Sequence, residues 1–395
     1  MLTDSHNYSA VDLFSGAGGM SSGFISSGWN VPVSVEKDAW AAETNAFNHL
    51  NTEVLVKDIK ELSNDYFKSL NYADVVMGGP PCQGFSISAS NRRKKDDPRN
   101  QLYLEMIRAI AQINPKAVLI ENVPEIIKFK LPSGKLLIDD IVELLFNLGF
   151  HSWCFIANAR WFNVPQNRKR AFIFSFRTKK QLQYFQEKIL QYVPQKEDDL
   201  FYKGNQKILS LWDAISDLPL VRPRQVDELS IQKYKTEPQN EYQLSLRGNN
   251  HSIFNHVPMN HTSRMVERFT FIQENRAKDW QDVEKYAPRE RSQPGKISER
   301  KFHQNHRLLN PFIPSPTITA SFYSSFIHPY QPRNITVREA ARLQSFSDGF
   351  IFKGKRTTLS KKLLARKGIN EDLHLDQFNQ VGNAVPPAQA KILER

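Results

Sequence analysis

The sequence predicts an α/β fold, a mostly parallel sheet with helices around it, interrupted by a smaller irregular domain. Three observations carry this reading. Short apolar runs alternate with helical patterns up to about Arg177. From there to about Pro332 the rhythm stops, and Gln, Asn, Pro, His and Arg dominate. Near Ile335 regularity returns, with helical spacing from Thr336 to Phe346 and a turn–helix pattern from Phe378 to Leu393. Strands alternating with helices make βαβ units and hence a parallel sheet. The expected division is therefore 1–177, an insert at 178–332, and a segment at 333–395 that returns to the first part.

Each strand is a short apolar run with a distinctive end. Ala10–Phe14 ends in a glycine turn, Val31–Glu36 in a carboxylate, and Val54–Asp58 in another. Asp74–Gly79 ends in paired glycines, and Ala117–Val123 contains Glu121 and Asn122. Ala171–Phe176 is the sixth run. Helical spacing lies between them at Leu102–Ile113 and Ile138–Leu148. In parallel sheets ligands bind at the carboxyl ends of the strands, which is where these polar residues fall.

Composition limits the function. The chain has 395 residues with Lys+Arg 53 against Asp+Glu 41, a formal net charge of +12. A hydrophobic fraction of 40% and a charged fraction of 24% exclude a disordered or collagen-like chain. The charge calls for a polyanionic partner, with nucleic acid and an anionic membrane surface both open. The two cysteines, Cys82 and Cys154, exclude a disulfide scaffold and a Cys-rich zinc site. A polar N-terminus and the lack of any apolar run of about 18 residues point to a cytoplasmic protein without a membrane span.

Asp12–Met20 follows a strand and opens a helix, and its Gly16, Gly18 and Gly19 allow a sharp turn and close backbone approach. Ser21 stands where the dinucleotide fingerprint has its third glycine. An ordinary strand–helix connection would carry the same residues. Glu36, 20 residues after Gly16, sits where an acid holds ribose hydroxyls, and Asp58 could take an adenine amine. Either acid alone would equally be a helix cap. Together with the turn they favour an adenosine site.

Gly78-Gly79-Pro80-Pro81-Cys82-Gln83 is the least ordinary stretch. Two prolines fix φ and remove two N–H donors, making a rigid loop that aims Cys82 above the sheet. A core cysteine needs no such lead-in, so Cys82 is read as a nucleophile, whereas Cys154, between Trp153 and Phe155, reads as core. Glu121 should face the same cleft, and Arg168 and Arg170 alternate onto one face of the strand after them.

These residues resemble the cytosine-5 DNA methyltransferases of bacterial restriction–modification systems. The resemblance rests on Asp12–Gly19, Glu36, Asp58, Gly79–Gln83, Glu121–Val123, Gln166-x-Arg168-x-Arg170, Arg338–Gln344 and Gly382–Val385, in the family's order. It implies a Rossmann-like, S-adenosylmethionine-dependent methyltransferase domain and transfer of a methyl group to C5 of a flipped-out cytosine in double-stranded DNA. It gives Cys82 attack on C6, Glu121 a proton or hydrogen bond at N3, Arg170 the cytosine O2, and Arg168 an orienting role. For the cofactor it implies Phe14 against adenine, Gly16, Ala17, Gly18 and Gly19 along the methionine side, Glu36 on the ribose and Asp58 on the adenine amine. Lys37 and Ile59 flank those acids, and Pro81, Leu102 and Asn383 complete the pocket. Lys37 stands where family members often carry an aromatic. No metal is implied. A monomer is expected, with a restriction endonuclease of the same target as a potential partner.

Target recognition is expected in 178–332, where Arg222, Arg224, Arg247, Asn249, Asn250, Arg264 and Arg268 could contact bases or phosphates. His251, His256 and His261 recur every five residues, followed by His303 and His306, but no cysteine accompanies them. The basic loop Ser86–Asn100 reads as a lid over DNA, and the run Lys353, Lys355, Arg356, Lys361, Lys362, Arg366 and Lys367 as either a solvated face or a backbone contact. Two rivals remain at this level: an RNA cytosine-5 methyltransferase of the same architecture, and a non-catalytic DNA-binding regulator.

Overall fold

The computed structural model describes residues 8–81, 101–194, 201–202, 206–224, 231–277, 279–290, 295–298, 305–320, 322–359, 361–369 and 371–393. Its centre is a seven-stranded sheet in the order β3-β2-β1-β4-β5-β8-β6. The strands are β1 (Ser9–Leu13), β2 (Asn30–Glu36), β3 (Glu53–Val56), β4 (Val75–Gly78), β5 (Ala117–Asn122), β6 (His151–Asn158) and β8 (Lys169–Phe176), with a two-residue β7 (Gln166–Asn167) beside them. The pairs from β3 to β5 are parallel. Only β8 runs against its neighbours, pairing antiparallel with β5 and β6. β1 is buried along its whole length, as a strand covered on both faces must be.

Helices cover both faces. On one side α3 (Asn64–Ser69), α4 (Leu102–Ile113) and α5 (Leu137–Asn147) bury Phe67, Met106, Ile110, Ile141 and Leu145 against Val11, Leu13, Val76 and Ile120. On the other, α1 (Gly19–Ile25), α6 (Lys179–Leu190) and the last helix, α14 (Pro387–Leu393), pack Phe24, Phe185, Ile189 and Ala390 against Ala10, Met77, Phe172 and Phe174. α2 (Ala39–Asn48) begins two residues after β2, capped by the Asp38 carboxylate on the Ala41 N–H. The six expected strands and the first two expected helices are present. β6 is an addition at the sheet edge.

A second core gathers distant parts of the chain. It combines α7 (Leu211–Ile215) and α8 (Glu241–Arg247) with Ile318, Phe322, Phe326, and α11 (Val337–Leu343) and α13 (Gln377–Asn383). The segment after 333 thus splits its packing: α11 and α13 serve the second core, while α14 lies on α1. β7 joins the two bodies by pairing in parallel with Ser315–Pro316. Among the described residues, no helix is long and apolar enough to cross a membrane.

Candidate active site

The order β3-β2-β1-β4 places the chain's reversal between β1 and β4, so the loops after these strands border one crevice. Asp12, near the end of β1, is fully buried. Its Oδ2 accepts the Ser21 hydroxyl at 2.6 Å, and its Oδ1 has no partner. Burial pushes the carboxyl up to about 7, with the charge of Glu36 adding to the effect. Ser21, at the fingerprint's third position, therefore serves as a donor to Asp12.

The next turns put polarity around an open space. Phe14 and Gly16 both take positive φ, 58° and 55°. A Cβ at Gly16 would meet nothing within 4 Å, so the backbone there faces open cleft. The Gly16 N–H donates to Glu36 Oε2 at 2.9 Å, and the Asp38 N–H to Oε1 at 2.8 Å. Both carboxylate oxygens are thus fixed by backbone while each keeps a lone pair, the acceptor set a vicinal diol requires. Burial raises the Glu36 carboxyl above its ordinary value.

The other glycines of the turn serve packing. A Cβ at Gly18 would strike Asn45 and His49 at 2.6 Å, and one at Gly19 would collide with the Val385 carbonyl. Ala17 belongs to the second core, and Ile59 and Leu102 to the core beneath the sheet. Asp58 caps the short turn Ile59–Glu61, its Oδ1 accepting the Lys60 N–H at 3.1 Å, while Oδ2 lies 3.5 Å from Lys37 Nζ. Lys37 therefore spends its charge on Asp58 rather than supplying a flat surface.

The reactive side is built by β4, β5 and β8. The Gly79 Cα is so close to Glu121 that a Cβ would sit 3.1 Å from its Oε2. Asn122 Nδ2 donates to the Pro80 carbonyl at 3.0 Å. The rigid Gly79–Pro81 lead-in is thus docked on the end of β5. Arg170 Nε lies 3.0 Å from Glu121 Oε1. Desolvation raises the Glu121 carboxyl, and the Arg170 guanidinium offsets this only in part. Cys82 and the Ser86–Asn100 segment lie outside the described residues.

Arg168 is fully buried and acts through the backbone. Its Nη1 donates to the Ile318 carbonyl at 2.8 Å, and its Nη2 to those of Gly382 and Ala384, each at 3.0 Å. These bonds bracket the exposed Asn383 at the end of α13, two residues before Val385, whose carbonyl abuts Gly19.

Several candidate DNA readers are spent elsewhere. Arg247 is buried against Asp217, with its Nε 2.8 Å from Oδ2. Arg268 is buried over the Trp280 ring, and Asn250 donates to the Arg247 carbonyl at 2.9 Å. Arg356 is buried on the Val257 and Pro258 carbonyls, and Lys355 pairs with Asp372 at 2.7 Å. Arg222, Arg224, Asn249, Arg264, Arg366 and Lys367 are exposed. His256 bridges Thr336 and the Pro219 carbonyl, and His261 and His306 pack against Phe269. Sequence reasoning gave Asp12 no separate role and missed the pair Asn45 and His49; their i,i+4 spacing on α2 was the available sign.

Comparison with known proteins identifies the family. The family described as C-5 cytosine-specific DNA methylase matches residues 8–395. The type II methyltransferase M.DdeI of Desulfomicrobium norvegicum is 39% identical over 97% of this chain and 86% of its own length. M1.HphI of Haemophilus parahaemolyticus is 31% identical over 97% of this chain and 84% of its own. Among solved structures, an E. coli prophage protein provisionally described as a DNA modification methyltransferase superposes with a TM-score of 0.68 at 26% identity, covering 98% of this chain and 97% of that one.

Proposed function

The chain belongs to the C-5 cytosine-specific DNA methylases, and from that premise we propose how its cleft performs the chemistry. It is a DNA cytosine-5 methyltransferase of the type II restriction–modification kind. S-adenosylmethionine supplies an electrophilic methyl group. The residues present fit this cofactor: Glu36 offers the ribose diol two fixed oxygens, the space beside Gly16 admits the chain, and the unpartnered Asp12 Oδ1 gives a cationic tail its counter-charge.

C5 of cytosine is a weak nucleophile, so the ring must first be activated. The Cys82 thiolate adds to C6, breaking aromaticity and making C5 enamine-like. Negative charge develops toward N3, where a protonated Glu121 donates a hydrogen bond or a proton. Arg170 holds Glu121 in place and reaches for the cytosine O2, while Arg168 positions the Asn383 turn. With the cofactor bound, C5 would take its methyl group as the methyl–sulfur bond breaks and S-adenosylhomocysteine leaves, a base would remove the C5 proton, and Cys82 would depart from C6. A base stacked in a duplex is out of reach of this cleft, so the cytosine is extruded. Residues 178–332 read the target, and the enzyme works as a monomer beside an endonuclease of the same specificity.

The observation that carries this reading is the docking of Gly79–Pro81 against Glu121 and Asn122, one residue before the only cysteine with such a lead-in. The test is methyl transfer. Purified protein with labelled S-adenosylmethionine should produce 5-methylcytosine in duplex DNA, read by mass spectrometry of digested nucleosides. Label confined to tRNA, or to an exocyclic amine, overturns it.

A further inference from the structure

Behind the glycine turn runs a buried chain of hydrogen bonds that the chemistry above does not use. Ser22 Oγ lies 2.8 Å from His49 Nε2, and His49 Nδ1 lies 2.6 Å from Asn45 Oδ1. Asn45 Nδ2 donates to Ser15 Oγ at 3.0 Å. Asn45 is 0% exposed, His49 7% and Ser15 8%, and only Ser22, at the far end, is half-buried. The same two α2 residues cradle Gly18, whose missing Cβ leaves them room.

The chain has a direction. Desolvation holds the His49 imidazole down at about 4, so at neutral pH it carries one N–H. With that N–H donated from Nδ1 to the Asn45 carbonyl, Nε2 accepts from the Ser22 hydroxyl. The Asn45 amide then donates to Ser15 Oγ, which is left as an acceptor with its own proton free. Among the described residues no acceptor for that proton is present. Ser15 stands between Phe14 and Gly16, and its N–H and carbonyl are taken by Val35 and Gly18. Only its hydroxyl is left to serve a ligand.

We propose that Asn45 and His49 are positioning residues that orient the Ser15 hydroxyl as a donor to the carboxylate of the cofactor's amino-acid tail. This rests on the assignment of the cleft to S-adenosylmethionine. His49 fixes the orientation of the Asn45 amide, and the amide fixes which way the hydroxyl points. The ribose end, held by Glu36 and the backbone of Gly16 and Asp38, does not depend on the relay.

The test compares two ligands with the full-length protein by calorimetry. S-adenosylhomocysteine carries the carboxylate, and 5′-methylthioadenosine lacks the whole tail. Ser15→Ala removes one hydroxyl and should weaken S-adenosylhomocysteine about tenfold while changing 5′-methylthioadenosine by less than about twofold. Asn45→Asp keeps the shape but turns position 45 into an acceptor, drawing the Ser15 proton inward, and should show the same selectivity. In the Ser15→Ala background, Asn45→Asp should add less than about twofold, because the two act through one hydroxyl. His49→Gln should raise the KM for S-adenosylmethionine with kcat little changed. Equal losses for both ligands, a wild-type affinity in Ser15→Ala, or additive effects of the two substitutions would overturn the proposal. Failure of the wild-type protein to bind either ligand would instead overturn the cofactor assignment beneath it.

Discussion

The cleft at the carboxyl ends of β1, β2 and β5 and the core around α11 bury charge in opposite ways. In the cleft, Asp12 keeps one oxygen without a partner, Glu36 is held by backbone N–H groups alone, and Glu121 is paired in contact with Arg170, with Arg168 acting on it from farther off. All three carboxyls are raised by burial. Around α11, charges are matched. Arg342 spans Asp217 and Asp348, Arg333 grips Glu339, and Arg338 donates to the carbonyls of Phe254, Ser347 and Phe350. Glu339 and Asp348 are accordingly held below the ordinary carboxylate range by those guanidiniums, which outweigh their burial. The lesson is that underpaired buried charge marks where ligands act, whereas matched buried charge holds the scaffold together.

The sharpest way to break this contrast is to neutralise one acid in the cleft. Glu121→Gln should reduce kcat by about 10²–10⁴-fold, since it removes a proton donor at the developing charge. Its far-UV circular dichroism and melting temperature should stay close to wild type. The matching substitution in the second core is Arg342→Met. It removes the cation shared by Asp217 and Asp348, leaving Asp217 to Arg247 alone, and should cost about 3–5 kcal/mol in denaturant unfolding.

Stability against pH separates the two regions by sign. The Asp12 carboxyl is pushed up to about 7 in the fold, above its ordinary 3.8. Its contribution is therefore present below about pH 4 and lost as pH rises through 7. Asp12→Asn should flatten that limb of the stability profile by a few kcal/mol, on the order expected for such a shift. The buried histidines of the second core and of the small cluster around Phe269 behave in reverse. His256 and His261 are held down at about 4, and His306 and His328 at about 3, all by burial. Their contribution is present above about pH 6.5 and lost as pH falls toward 4. His256→Gln should lessen the acid limb by about 3 kcal/mol, measured by urea unfolding between pH 4 and 7. The smallest effect belongs to the exposed arginines. Arg222→Ala and Arg224→Ala should alter stability by less than about 0.5 kcal/mol, and each lost phosphate contact should lower the salt dependence of DNA binding.

How far the sequence reveals this depends on the element. β1 to β5 and β8 are legible because each is a short apolar run closed by a polar or glycine end. β6 escapes notice because Ser152-Trp153-Cys154-Phe155-Ile156 lacks alternation and its turn signals. Of the second core, α11 is legible through the helical spacing of Thr336–Phe346, and the rest is illegible for a different reason. It is assembled from two-residue strands and five- to seven-residue helices far apart in the chain, which leave no periodicity. In the site, the acids at strand ends stand out, but the division of labour among the glycines does not. Only packing reveals that Gly16 faces the cleft while Gly18 and Gly19 accommodate α2 and the Val385 carbonyl. Nor does sequence separate a buried arginine such as Arg247 from an exposed one such as Arg222, since the pairing acid lies 30 residues away.

The central claim is that this cleft activates cytosine through a covalent bond to Cys82. The most direct measurement uses duplex DNA with 5-fluorocytosine at the methylated position, where the fluorine blocks the final elimination. Wild-type protein with S-adenosylmethionine should give a DNA–protein complex stable to denaturing electrophoresis, and Cys82→Ser should give none. A stable complex formed by Cys82→Ser, or none formed by a wild-type protein that methylates ordinary DNA, would contradict the account.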